Sequence, residues 1–200
     1  HGACNLGSIN LTQFIEHPFG AHPKIDFKAI AGTTAVAVRM LDNVIDISHF
    51  PLNAQKKSAR GTRRIGLGIT GLADALIMLG LRYDSEAAQD VAAAVMQTIC
   101  HAAYQTSIDL VSERGMFPQY RAAKSLESGF ARSLPSALRD AIQHKGIHNS
   151  HLTAIAPAGS ISLLANNISS GMEPVQAFHG HRSFREIDGI ETRVPVHDYA

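Results

Sequence analysis

The stretch His151-Leu152-Thr153-Ala154-Ile155-Ala156-Pro157-Ala158-Gly159-Ser160-Ile161-Ser162 decides how this chain is read. Its first half is apolar and reads as a buried strand; its second half is a tight loop of small residues. Ala, Gly and Ser leave backbone N–H groups uncovered by side chains, and such a concave nest suits a phosphate. Ala158, Gly159, Ser160, Ile161 and Ser162 are therefore candidate phosphate-binding residues, with Ser160 and Ser162 adding hydroxyl donors. Many plain strand–turn connections share this composition. No G-K-[ST] follows, so the loop is not of the Walker type.

Downstream, residues 184–187 and 190–196 flank Asp188-Gly189, which signals a hairpin. Upstream the texture is helical over 24–146. Asp26 can cap a helix whose apolar positions Phe27, Ile30, Ala31, Thr34, Val38, Leu41 and Ile45 recur at three- and four-residue spacing. Asp84 or Ser85 caps a second long helix, with Val91, Val95, Ile99, Ala103, Ile108 and Val111 on its buried side and Gly115 and Pro118 beyond its end. A shorter helix is expected over 134–145. Residues 53–64 read as a polar, basic connector.

Residues 65–79 are apolar and predict another helix, although they contain Gly66-Leu67-Gly68-Ile69-Thr70-Gly71. A dinucleotide fingerprint needs a strand directly before it and an acidic residue about twenty positions later at the end of a second strand. Neither is expected here, so a Rossmann-type dehydrogenase is set aside and the glycines are assigned to close helix packing.

The composition is that of an ordinary globular piece: 200 residues, 45% hydrophobic, 18% charged. A net charge of +1 gives no reason to expect direct nucleic-acid binding or an anionic membrane surface. No apolar run is long enough to span a membrane. The opening His1-Gly2-Ala3-Cys4 reads as a start inside a longer protein. Eleven histidines include His144, His148 and His151, and the pair His179 and His181, but no cysteine or carboxylate completes a ligand set at short spacing, so no metal site is expected. Two cysteines, Cys4 and Cys100, form no disulfide framework, and their scarcity favours a cytoplasmic setting. Cys100 lies in an Ala-rich helical pattern and reads as a buried structural residue. Cys4 lies in a Gly/Asn/Ser-rich segment and is a candidate reactive thiol.

Three segments in order resemble one family, the catalytic subunits of ribonucleotide reductases, most closely the adenosylcobalamin-dependent (class II) type. They are Ala3-Cys4-Asn5-Leu6-Gly7-Ser8-Ile9-Asn10-Leu11; Arg63-Arg64-Ile65-Gly66-Leu67-Gly68 with Gly71-Leu72-Ala73-Asp74; and Ala156-Pro157-Ala158-Gly159-Ser160-Ile161-Ser162 with Ser169-Ser170-Gly171-Met172-Glu173-Pro174-Val175. The resemblance implies a fold class of α/β type, a mainly helical part of a ten-stranded α/β barrel, with residues 1–200 forming one partial barrel domain. It implies thiyl-radical reduction of the ribose 2′ position, with two thiols supplying the electrons. Cys4 matches one member of that redox pair, and residues 158–162 match the loop that holds the substrate's phosphates.

The implied partners are a ribonucleotide, a thioredoxin-like reductant and further copies of the chain; the implied cofactor of the longer parent is adenosylcobalamin. The family's radical cysteine, and the Asn and Glu that assist it, have no counterpart here, and Cys100 fits none of the roles. The chain by itself is therefore expected to be inactive. The rival expectation is a free-standing nucleotide- or partner-binding module derived from the same barrel. Asn166-Asn167-Ile168 departs from the smaller residues expected before Ser169.

Overall fold

The computed structural model describes residues 2–200. The elements run β1 (Asn5–Asn10), a 3-10 turn (Leu11–Phe14), β2 (Ile15–Glu16), β3 (Lys24–Ile25), α1 (Phe27–Ile47), α2 (Asn53–Thr62), β4 (Ile65–Thr70), α3 (Leu72–Met78), α4 (Glu86–Arg114), α5 (Ala122–Ser125), α6 (Gly129–Ser133), α7 (Ser136–Lys145), α8 (Gly159–Leu164), β5 (His179–Arg185) and β6 (Glu191–His197). Among the described residues the strands form three two-stranded sheets, β1 with β4, β2 with β3 and β5 with β6, so no closed barrel is present. Helices with interspersed strands agree with the α/β, mainly helical expectation.

The chain divides into two compact units. The first comprises the residues through Ile9, 26–68 and 93–156; the second comprises 10–25, 69–92 and 157–200.

In the first unit, α1 begins where expected: the Asp26 carboxylate accepts the Ala29 N–H at 2.8 Å. Its three- and four-residue periodicity buries Ile30, Thr34, Val38, Leu41, Asp42 and Ile45. The C-terminal part of α4 contributes Val95, Ile99, Ala103, Ile108 and Leu110, all nearly sealed from solvent. Burying side chains of this size stabilises the fold by roughly 1.5–3 kcal/mol each. The expected connector at 53–64 is instead helix α2, which ends at Arg63 in a left-handed conformation (φ 45°). Lys56, Lys57 and Arg60 are exposed, whereas Arg63 is buried.

The helix expected over 65–79 is a correction. Residues 65–70 form strand β4, every one of them buried, and only 72–78 are helical. Glycine weakens helices, and an apolar run buried on both faces suits a strand equally well. Gly71 (φ 73°) makes the break between strand and helix. The strand expected over 151–156 is an extended segment lying against β4, joined by one parallel bridge, Leu67 to Thr153.

In the second unit, the expected cap of α4 is Ser85, whose Oγ accepts the Ala88 N–H at 3.2 Å. Helix α3 rests on the 3-10 turn, where Leu11 and Thr12 are buried. The expected hairpin is present but longer: β5 and β6 pair antiparallel from His179 opposite His197 to Arg185 opposite Glu191. Gly189 (φ 85°) sits in its turn.

Candidate functional site

Cys4 belongs to the first unit, and its surroundings follow from the alternation of β4. Ile65, Leu67 and Ile69 point to one face and Gly66 and Gly68 to the other. A Cβ on Gly66 would stand 2.7 Å from Leu6 Cδ2, 3.0 Å from Ala154 Cβ and 3.3 Å from Cys4 Sγ. A Cβ on Gly68 would collide with the Ala154 carbonyl oxygen. The two glycines thus let Cys4 and the 151–156 segment lie directly on β4. Backbone bonds fix that contact: Ile65 N–H donates to His151 O at 3.0 Å, Leu67 N–H to Leu152 O at 2.8 Å, and Ala154 N–H to Leu67 O at 3.1 Å.

Cys4 is a free thiol and exposed. Partial burial pushes its pKa up, and the Arg64 charge opposes that rise. Cys100 is free, half-buried within α4, and its pKa is raised by burial alone.

The candidate phosphate residues belong to the second unit. The expected loop of 158–162 is the first turn of α8 with Ala158 as its N-terminal cap. Two of the five candidate residues have their polar groups committed. The Ala158 N–H donates to Ser170 Oγ at 3.0 Å, and Ser162 Oγ donates to Gly159 O at 2.9 Å. Ala158 and Ser162 are also buried. Among the described residues, nothing accepts from the N–H groups of Gly159, Ser160 and Ile161, and these three residues are exposed. The donors free to meet an anion are therefore those three amides and the Ser160 hydroxyl.

The departure at Asn166-Asn167 has a structural reason. Both residues are left-handed, with φ of 66° and 60°. Glycine adopts that conformation at least cost, and Asn is among the side chains that tolerate it best. Asn167 then uses its amide: Nδ2 donates to His197 O at 2.7 Å, and Oδ1 accepts from Arg182 at 3.0 Å. These bonds tie the end of the α8 turn to the hairpin. Between them lies a cavity of about 450 Å³ whose walls include Gly159, Ser162, Glu173, His181 and Arg182. Sequence reasoning weighed His181 only as a metal ligand and did not weigh Arg182. The signal available was a basic run, His181-Arg182, in the first strand of the hairpin.

A buried polar cluster in the first unit was also missed. Asp42 is fully buried; its Oδ1 accepts from Arg63 Nε at 2.9 Å and Asn149 Nδ2 at 2.8 Å, and its Oδ2 accepts from Arg114 at 2.8 Å. His148 Nε2 stands 3.1 Å from Asp42 Oδ2. Burial pushes the Asp42 carboxyl up, but hydrogen bonds from His148 and Arg63 outweigh it and hold the pKa far below the ordinary carboxylate range. The cluster packs α1, the end of α2, α4 and the segment before 151. It positions β4 and hence the surface beneath Cys4. Among the described residues no three His, Cys, Asp or Glu side chains converge to hold a metal ion.

Comparison with known proteins gives the family. The family model for the ribonucleotide reductase barrel domain matches residues 1–193. A vitamin B12-dependent ribonucleoside-diphosphate reductase of Mycobacterium tuberculosis is 41% identical over 175 residues, covering 88% of this chain and 22% of the relative. A protein of the same description from Thermoplasma acidophilum is 38% identical, covering 88% of this chain and 20% of the relative. A ribonucleoside-diphosphate reductase large subunit of Arabidopsis thaliana is 33% identical over 191 residues, covering 82% and 23%. The chain spans about a fifth of the length of these relatives. With the match running through the Cys4 segment, β4 and the 156–175 segment, the chain belongs to the ribonucleotide reductase barrel-domain family.

Proposed function

We propose that this chain forms the part of a ribonucleoside-diphosphate reductase's catalytic barrel that carries one electron-donating thiol, Cys4, and the substrate-phosphate turn at 159–161. The overall step converts a ribonucleotide and a dithiol into a 2′-deoxyribonucleotide, a disulfide and water. Cys4 supplies one of the two thiols. The exposed amides of Gly159, Ser160 and Ile161, with the Ser160 hydroxyl, bind the diphosphate, and Ala158 and Ser162 hold the turn in shape. The observation that supports this reading is the family match through residues 1–193, which covers both the Cys4 segment and the turn at 159–161.

Radical chemistry with a separate dithiol needs three cysteines, and this chain has two. The reaction therefore takes a longer polypeptide, and the chain alone is inactive. Adenosylcobalamin, when bound to that parent, supplies the initiating radical. Cavities of about 290 and 510 Å³ in the first unit and about 450 Å³ in the second are each too small for a corrin ring with its nucleotide tail. The residues here do not by themselves fit the cofactor, and no step is routed through it.

A thioredoxin-like dithiol protein re-reduces the Cys4 disulfide, and the setting is the cytoplasm. No helix of the described residues is long and apolar enough to cross a membrane. The chain also self-associates; Val36, Met40 and Ile47 lie exposed along one side of α1, apart from its buried stripe.

The test is multiple-turnover deoxyribonucleotide formation by the parent enzyme with Cys4→Ser. At least a hundredfold loss is expected with a thioredoxin-like reductant. Unchanged turnover would favour a binding module instead.

A further inference from the structure

We propose that Arg64 is a positioning residue for Cys4, its guanidinium standing as counter-ion to the thiolate that disulfide exchange requires. The inference rests on the reading of Cys4 as an electron-carrying thiol.

Register carries it first. A Cβ on Gly2 would lie 3.8 Å from Arg64 Nη1, and a Cβ on Gly66 would lie 3.3 Å from Cys4 Sγ. The Arg64 guanidinium thus reaches residue 2, and the Gly66 face of β4 meets residue 4. Side chains two apart along an extended backbone share a face, so the Arg64 side chain and the Cys4 thiol are neighbours on the glycine side of β4. The second observation is that Arg64 Nε is buried and no group among the described residues accepts from it. Buried donors without acceptors are uncommon, and an anion beside the guanidinium, such as a thiolate at Cys4, would give this one a partner.

The contrast with Arg63 is direct. Arg63 bonds Asp42 and Asp46, whereas no carboxylate pairs with Arg64 among the described residues. One of two consecutive arginines is committed to the fold and the other is left for chemistry. The groups around the thiol agree. Burial raises the Cys4 pKa and Arg64 opposes it. His151, at the start of the segment lying on β4, has its pKa lowered by burial and then by the same arginine.

Thiolates, not thiols, attack and leave in disulfide exchange. A reductant thiolate attacks the Cys4 disulfide; one S–S bond breaks, a mixed disulfide forms and a thiolate departs. The reductant's second thiolate then closes its own disulfide and releases the other protein sulfur. Arg64 stabilises the negative charge whenever it resides on Cys4.

The test uses the chain carrying Cys100→Ala, so that Cys4 is the sole thiol, and the pH dependence of its alkylation by iodoacetamide. The Cys4 thiolate displaces iodide, so the profile reads its ionisation. Arg64→Gln is expected to slow alkylation at pH 7.5 about five- to tenfold, corresponding to a midpoint displaced upward by up to about one unit. Arg64→Lys is expected to keep most of the rate, and 1 M salt to narrow the gap between the unaltered and Gln chains. A Gln profile superimposing on the unaltered one, with the far-UV circular dichroism spectrum intact, would overturn the proposal. Should the Gln variant lose its fold, Arg64→Lys decides: fast alkylation supports the role, and a slowed, folded Lys variant rejects it. Failure of the electron-carrier reading is seen separately, as normal turnover of the Cys4→Ser parent.

Discussion

Asn149 and Asp42, 107 positions apart in sequence, are joined by a 2.8 Å hydrogen bond from the Asn149 amide to the Asp42 carboxylate. The same carboxylate holds Arg63 and Arg114, and Asn149 also donates to the Arg63 carbonyl at 3.0 Å. The Asn149 N–H and Oδ1 are both satisfied by Ser107 Oγ. The cluster thereby locks α1, α4 and both ends of the connection into β4.

Asp42→Ala removes the buried acceptor shared by Arg63, Arg114 and Asn149 and leaves Asp46, among the described residues, as the one carboxylate beside the two arginines. Breaking a buried pair of this kind costs about 3–5 kcal/mol. Equilibrium urea unfolding should show a midpoint lowered accordingly. A change below 1 kcal/mol would mean that the cluster does not hold the unit together.

The same residue sets a pH dependence. Its folded carboxyl titrates well below the unfolded value of 3.8. Its stabilisation is therefore complete above the unfolded carboxylate range and is lost as the pH falls through that range toward the folded value. Urea midpoints of the native chain should fall between pH 5 and pH 2.5 more steeply than those of Asp42→Asn.

Gly68→Ala drives a methyl into the Ala154 carbonyl. A loss of about 1–3 kcal/mol is expected, as for other overpacked sites. Gly32→Ala is the matched control: it lies within α1 with nothing near its Cβ position. That change should stabilise by roughly 0.5–1 kcal/mol through helix propensity. Thermal melts of the two variants should move in opposite directions.

How much of this was legible varies with the range of the interactions. Helix α1 was readable because Asp26 and the apolar stripe at 30, 34, 38, 41 and 45 are local signals. The hairpin was readable from Asp188-Gly189, although its strands extend beyond the apolar residues. Strand β4 was misread because its apolar run is buried on both sides, which erases the period that separates strand from helix. Its glycines acquire meaning only from Cys4, Ala154 and Ile155 across the unit. The Asp42 cluster draws partners from 63, 114, 148 and 149. Its one local signal was a carboxylate at 42, four positions after Val38 on the apolar side of α1. The stretch 158–162 was singled out as a loop but is the first turn of α8, and which of its amides stay free depends on Ser170, twelve positions from Ala158.

Ser160 and Ser162 should behave differently in the parent enzyme. Ser160→Ala removes a hydroxyl free to reach the diphosphate, and affinity for ADP by calorimetry should fall about tenfold, as for a hydrogen bond to a charged group. Ser162→Ala removes a bond internal to the turn. It should leave affinity within about threefold and lower the melting temperature instead. Equal effects on affinity would contradict the assignment of free donors to 159–161.

Self-association should show as a concentration-dependent sedimentation coefficient, abolished by Met40→Asp on the exposed side of α1. A single species at all concentrations would contradict it.

The central claim is that Cys4 gives up electrons to substrate. Its most direct measurement is mass-spectrometric mapping of alkylated cysteines in the parent enzyme, fully reduced and then after one turnover of a ribonucleoside diphosphate without added reductant. The account predicts that Cys4 is alkylated before turnover and recovered in a disulfide-linked peptide after it. Cys4 alkylated to the same extent in both samples, with deoxyribonucleotide formed, would contradict it.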